Sequence, residues 1–259
     1  MGEFLLNKIF ERDIDKGGMV TEITGISGSG KTSLALGMAT QIIKNNPSEL
    51  VFWREAVNSP CQFNKIGDDI GYQLLAEKRY HLRALEITND MKKAPLDIRP
   101  FRGVQELIKI SKPGMLNVVF FKDLYRWIDL IMALRLLPGW KTLIWDEYED
   151  ICPQRCKGIQ WRKNDELSSN IKQLRKSGIS LLMNSQSNMD ADFRIRAKIM
   201  CFAYCYGARV DTLSPVTDHA IHGLHIGQAW LDHGRSLFGE ISFPPFKPKA
   251  HIYTIIEGK

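Results

Sequence analysis

The sequence contains no apolar run approaching the ~18 residues that a membrane-spanning helix needs. The best candidate, residues 128–140 (IDLIMALRLLPGW), is broken by Arg135 and Pro138. The amino terminus, MGEFLLNKIFERD, becomes charged too soon for a secretory signal and lacks the hydroxyl residue of a myristoylation site. Short repeats and low-complexity tracts are missing, which argues against a solenoid or a long tail. Cysteine is scarce, 5 in 259 residues, and without a secretory signal these read as reduced thiols rather than a disulfide framework. Together the absences lead to the expectation of a soluble, cytoplasmic protein with no membrane partner.

What is present fits one large α/β domain. A 44% hydrophobic share with 25% charge is that of an ordinary globular chain, and 259 residues can bury a sizeable core. The net charge of +6 favours an anionic partner such as nucleic acid, although lysine-rich surfaces are common. Apolar, β-prone runs at 19–24 (MVTEIT), 49–56 (ELVFWREA), 116–121 (LNVVFF), 142–147 (TLIWDE), 179–187 (ISLLMNSQS) and 200–210 (MCFAYCYGARV) predict strands. Helical periodicity at 31–45, 123–137 and 165–178 falls between them. The stretch 61–113 mixes helix-like pieces (IGYQLLAEKRYHLRAL) with turn punctuation at Pro95, Pro100 and Pro113, and EISF and HIYTII read as closing strands. Almost wholly apolar strands alternating with helices indicate a mostly parallel sheet covered on both faces. No composition break marks a second domain. The chain reads as a single domain over 1–259, with a core of about 19–210 and a β-rich extension of about 211–259.

Residues 25–32, GISGSGKT, match G-x-x-x-x-G-K-[ST] in full, between a predicted strand and a predicted helix. Glycine lets backbone N–H groups wrap phosphates without a Cβ in the way, and the helix amino terminus adds partial positive charge. The motif predicts a nucleoside triphosphate cradle over Gly25, Ile26, Ser27, Gly28, Ser29, Gly30, Lys31, Thr32 and Ser33. Lys31 is expected to reach the β- and γ-phosphates of ATP, and Thr32 to ligate Mg²⁺. Asp146, at the carboxyl end of an apolar strand, is the expected second magnesium acid. Glu147 beside it is suited to polarise water for in-line attack. The plainer reading is a solvated acidic loop, since Glu149 and Asp150 follow. Gln186, with Asn184, is placed to sense the γ-phosphate or the attacking water, although a polar strand end is also ordinary turn chemistry.

The series Gly25–Thr32, Asp146-Glu147, LRKSG, ISLLMNSQS and DADFRIRAK resembles the FtsK–HerA superfamily of P-loop ATPases, in its viral packaging and Zot-like branches. The resemblance covers roughly residues 19–200. It implies a three-layer RecA-like P-loop core with a mostly parallel central sheet. It also implies a homo-oligomeric ring, usually a hexamer, that hydrolyses ATP to translocate double-stranded DNA. For a compact viral member the work is genome packaging, with a capsid or portal protein as a possible docking partner and the host cytoplasm or virion as its place. Two alternatives stand beside it. The opening GGMVTEITGISGSGKTSLALGMA also looks like that of RecA/RadA/KaiC-like recombination ATPases, but those are expected to carry Ser where Glu147 stands. The other is a Zot-like, nucleotide-dependent assembly or scaffold protein.

In such rings a neighbour's arginine stabilises the transition state. The resemblance offers Arg175 in LRKSG, and Arg194 and Arg196 in DFRIRAK, each also readable as a plain surface arginine. After the acid pair, CPQRCKGIQWRKND reads as a loop with Arg155, Lys157, Arg162 and Lys163 around Trp161, suited to gripping DNA phosphates in a pore. The basic stretches 78–83 and 92–102 are weaker candidates. Two metal-like patterns remain. Cys152/Cys156 and Cys201/Cys205 are both C-x-x-x-C, but the second pair lies in a strand-like run where buried cysteine is common. His219, His222 and His225 recur every third residue, which spreads them around a helix and suits a turn or a subunit contact better than a metal.

Overall fold

The computed structural model describes residues 17–57, 70–87, 93–186, 190–208, 221–233, 238–243 and 252–257. The first strand, β1 (Val20–Thr24), is wholly buried and feeds the glycine-rich turn from which α1 (Lys31–Asn45) departs. There follow β2 (Leu50–Arg54), β3 (Tyr72–Glu77), β4 (Leu82–Ile87), β5 (Lys93–Leu96), β6 (Ile98–Phe101), α2 (Val104–Ile110) and β7 (Leu116–Phe120). The acid-bearing half comprises α3 (Arg126–Leu134), β8 (Lys141–Trp145), the single turn α4 (Tyr148–Ile151), α5 (Gly158–Lys176) and β9 (Ile179–Ser185). The chain then forms α6 (Phe193–Arg196), β10 (Cys201–Cys205), β11 (Gln228–His233), β12 (Phe238–Ser242) and β13 (Ile252–Glu257).

Ten strands make the main sheet, in the order β12-β11-β10-β1-β9-β8-β2-β7-β3-β6. Every pairing from β10 to β6 is parallel, while β11 and β12 add an antiparallel edge. Strands buried on both faces explain why their sequences read as continuous apolar runs. On one face α1 packs Leu34, Ala35, Met38 and Ile42 over Ile23, Trp53 and Ile144, with Ala84 of β4 and Ile255 of β13 in the same core. On the other, α3, α4 and α5 bring Trp127, Ile131, Tyr148 and Leu167 against Phe52, Leu143 and Trp145. This is the expected three-layer α/β architecture. No helix among the described residues is long and apolar enough to cross a membrane.

Topology positions the site. The chain leaves β1, crosses through α1 and returns three places away at β2; β8 and β9 later fill the gap. The carboxyl ends of β1, β9 and β8 therefore stand side by side, in the crevice where open parallel sheets bind ligands.

Two expectations are corrected. The helix-like reading of IGYQLLAEKRYHLRAL gives way to β3 and β4, joined by a turn at Lys78–Tyr80. Intrinsic preference yields there to burial, because β3 is flanked by β7 and β6 and hides residues 74–77. The supposed basic loop is mostly helix: α5 begins at Gly158, so Trp161, Arg162 and Lys163 lie in its first turns. Asn164 anchors that early start, buried and bonded to the Pro153 carbonyl and to Asp192 Oδ2, both at 3.1 Å. The paired-cysteine zinc reading fails on topology. Cys201 and Cys205 point to the α1 face, whereas Cys152 belongs to the core on the opposite face. Among the described residues no group of three His, Cys, Asp or Glu side chains is placed to hold a metal. His219 lies outside the described residues, as does Lys92.

Candidate active site

The turn after β1 closes tightly on itself. A Cβ at Gly25 would stand 2.7 Å from Ser29 Oγ and 3.0 Å from the Cβ of Cys205, so only glycine fits. Gly30, at φ 97°, supplies the left-handed residue from which α1 starts. No side chain caps that helix, leaving its first N–H groups directed at the cleft. Ile26 is exposed, and its N–H reaches the Tyr206 carbonyl at 3.3 Å, tying the turn to the end of β10. Ser27, Gly28, Gly30, Lys31, Thr32 and Ser33 line one wall of a cleft of about 430 Å³, within the ordinary range for a small-molecule site. Asp146, Glu147, Asn184, Ser185 and Gln186 form the other wall.

Lys31 is buried, and its Nζ donates to the carbonyls of Gly25 at 2.8 Å and Ile26 at 2.9 Å. Burial pulls the ammonium below its usual range, opposed by Cys205 and by the facing carboxylates of Asp146, Glu149 and Glu147. The Thr32 hydroxyl lies 3.4 Å from both carboxylate oxygens of Asp146. Asn184 Nδ2 steadies that carboxylate, donating to Asp146 Oδ1 at 2.9 Å. A hydroxyl and a carboxylate converging beside free helix N–H groups are hard oxygen donors next to an anion cradle, which fits Mg²⁺ with a polyphosphate.

Glu147 has φ 54° and ψ 61°, and among the described residues it is the one non-glycine with positive φ. For an L-residue that conformation costs ~1–2 kcal/mol. The turn aims the carboxylate along the cleft rim, where Gln186 Nε2 donates to its Oε1 at 3.0 Å. Glu149, passed over in the sequence as part of a solvated acidic run, is held from inside. Its Oε1 accepts the Gln186 N–H at 3.2 Å, and burial pushes its carboxyl up.

The three arginines lie elsewhere. Arg175 sits at the amino end of β1, the end away from its own cradle, its Nε donating to the Gly18 carbonyl at 2.8 Å. Arg194 is committed to Asp192 at 2.7 Å and Asp165 at 2.9 Å, with its guanidinium 4.9 Å above the Trp161 ring. Arg196 lies close enough to the buried Tyr148 to oppose the upward shift of that phenol, which burial and Glu22 cause. Of the basic residues around Trp161, Lys163 is paired with Asp129 at 2.7 Å and Glu166 at 2.8 Å, while Arg155, Lys157 and Arg162 remain exposed.

Sequence reasoning missed Arg54. It ends β2, is buried, and reaches the acid turn through the Asp146 carbonyl and through Asp150 Oδ2 at 2.8 Å. The available signal was a cation closing an otherwise apolar strand, LVFWR.

No protein-family model matches the chain, and no curated protein does. Solved structures do resemble it. One is the genome packaging NTPase B204 from Sulfolobus turreted icosahedral virus 2 in complex with ATP-gammaS, at 14% identity and a TM-score of 0.56, over 89% of this chain and 98% of that one. Another is the bacterial conjugative coupling protein TrwBdeltaN70, at 11% identity and a TM-score of 0.57, over 100% of this chain and 94% of that one. A third is the cytoplasmic domain of the Thermomonospora curvata type VII secretion ATPase EccC, at 14% and 0.50, over 91% of this chain but 24% of that one. At such identities the likeness is one of fold. The class these comparisons define is therefore one of fold, the RecA-like P-loop α/β fold.

Proposed function

We propose that the chain hydrolyses ATP and uses the energy to move double-stranded DNA, as a genome-packaging motor. The observation that carries the reading is Glu147: a strained carboxylate on the cleft rim, one residue beyond the acid that faces Thr32. In this account the free N–H groups of the turn and Lys31 bind the phosphates, Lys31 exchanging its bonds to the Gly25 and Ile26 carbonyls for phosphate oxygens. Thr32 and Asp146 would hold Mg²⁺, which would supply charge neutralisation on the phosphates. Glu147 accepts the proton of the attacking water, and Gln186 orients that carboxylate.

The DNA part rests on different support. The net charge is +6, and B204, which shares the fold across most of both chains, is described as a genome packaging NTPase. Arg155, Lys157 and Arg162 form the basic surface that would meet phosphates. The ring is what the resemblance of the sequence to the FtsK–HerA superfamily implies. Arg175, at the opposite end of β1 from its own cradle, is the arginine best placed to complete a neighbour's site, with Arg196 second.

Steady-state ATP hydrolysis, measured with duplex and single-stranded DNA across a salt series and with particle mass recorded alongside, tests the reading. A motor shows duplex-stimulated turnover that fades with salt, in a particle several chains large. Turnover indifferent to DNA would instead favour an assembly or scaffold role.

A further inference from the structure

β8 delivers Asp146 and Glu147, and its two neighbours in the sheet are β9 and β2. Each neighbour delivers, at its carboxyl end or one residue beyond, a side chain that touches the acid turn. From β9, Gln186 Nε2 donates to Glu147 Oε1 at 3.0 Å. From β2, Arg54 pairs in register with Trp145 and places Nη1 3.8 Å from Glu147 Oε2. The same Nη1 donates to the Asp146 carbonyl, the peptide that leads into the left-handed Glu147, and Nη2 donates to Asp150 Oδ2 at 2.8 Å. The Arg54 side chain is only 7% exposed. Burying a guanidinium is costly unless it is paired, and here Nη1 and Nη2 between them reach Asp146, Glu147 and Asp150. Arg54 lines a second cleft, shared through Glu147, and not the wall of the phosphate cleft.

We propose that Arg54 is the positioning residue of Glu147, fixing the left-handed turn through the Asp146 carbonyl and steadying the second carboxylate oxygen without touching nucleotide. This rests on the reading of Glu147 as the water-activating base. The residue acts on the rate of cleavage and leaves nucleotide affinity alone.

A double-mutant cycle read in single-turnover ATP cleavage tests it, with Kd for a fluorescent ATP analogue measured in parallel. Arg54→Met is expected to slow cleavage about a hundredfold, the scale of a misplaced catalytic group, with Kd little changed. In the Glu147→Gln background the same substitution should leave the residual rate nearly unaltered, because the group it positions is already gone. Arg54→Lys, which keeps charge but not the fork, should fall between, and it decides by the same comparison if Arg54→Met does not fold. Normal cleavage in the Arg54 variants, or an equal loss in both backgrounds, overturns the positioning role and leaves Glu147 as base intact. A near-normal rate in Glu147→Gln itself brings down both.

Discussion

A buried ammonium needs acceptors, and Lys31 finds them in two carbonyls of its own turn. The bonds keep the side chain pointed along the cradle, and the exchange for charged phosphate oxygens is favourable because charge-assisted bonds are the stronger kind. Lys31→Ala should therefore weaken ATP binding by about a hundredfold, the value of one or two hydrogen bonds to a charged group. Equilibrium titration with a fluorescent analogue reads this directly, and unchanged affinity would discard the cradle. Glu147 is the opposite case, a residue in the left-handed region whose carboxylate accepts from Gln186 and lies 3.8 Å from the Arg54 guanidinium.

At the level of elements, β10 shows how burial governs reactivity. Cys201 and Cys205 lie on one face of this strand, and burial pushes each thiol up to about 12. Both should resist a thiol reagent at mildly alkaline pH until the protein unfolds; rapid labelling in the native state would contradict the packing of β10. Their native values lie above the ordinary thiol value of 9.0, so from there upward the unfolded chain sheds protons that the folded one keeps. Stability should accordingly fall across that window as pH rises, which denaturant midpoints at stepped pH would follow.

The same scale explains what the sequence made legible. Strands β1, β7, β8 and β9 were readable because both faces are covered, and the cradle because its spacing is dictated by phosphate geometry. β3 was not readable: QLLA has no β-branched residue, and its strand state comes from partners β7 and β6, distant in sequence. Nor was the start of α5, which depends on Asn164 meeting Asp192 across 28 residues. Arg54 escaped for a like reason, since its partners are brought to it only by the adjacency of β2 and β8.

For the whole molecule the arrangement is a cradle and an acid turn at the carboxyl ends of the strands, with Arg175 at the amino end of β1. Stacked head to tail, such subunits would set the Arg175 end of one chain against the next chain's cleft. Subunits carrying Arg175→Ala or Arg196→Ala, mixed with subunits carrying Glu147→Gln, should regain part of the hydrolysis that each lacks alone, because a mixed interface can pair an intact glutamate with an intact arginine. The absence of rescue in every pairing would speak against a shared site.

The most direct test of the central claim is phosphate release by wild type and Glu147→Gln, side by side, with Mg²⁺, ATP and duplex DNA. The account predicts steady release by the wild type and a rate roughly 10²–10⁴-fold lower in the variant, with ATP still bound by both. Equal rates in the two proteins, or no release from either, would contradict it.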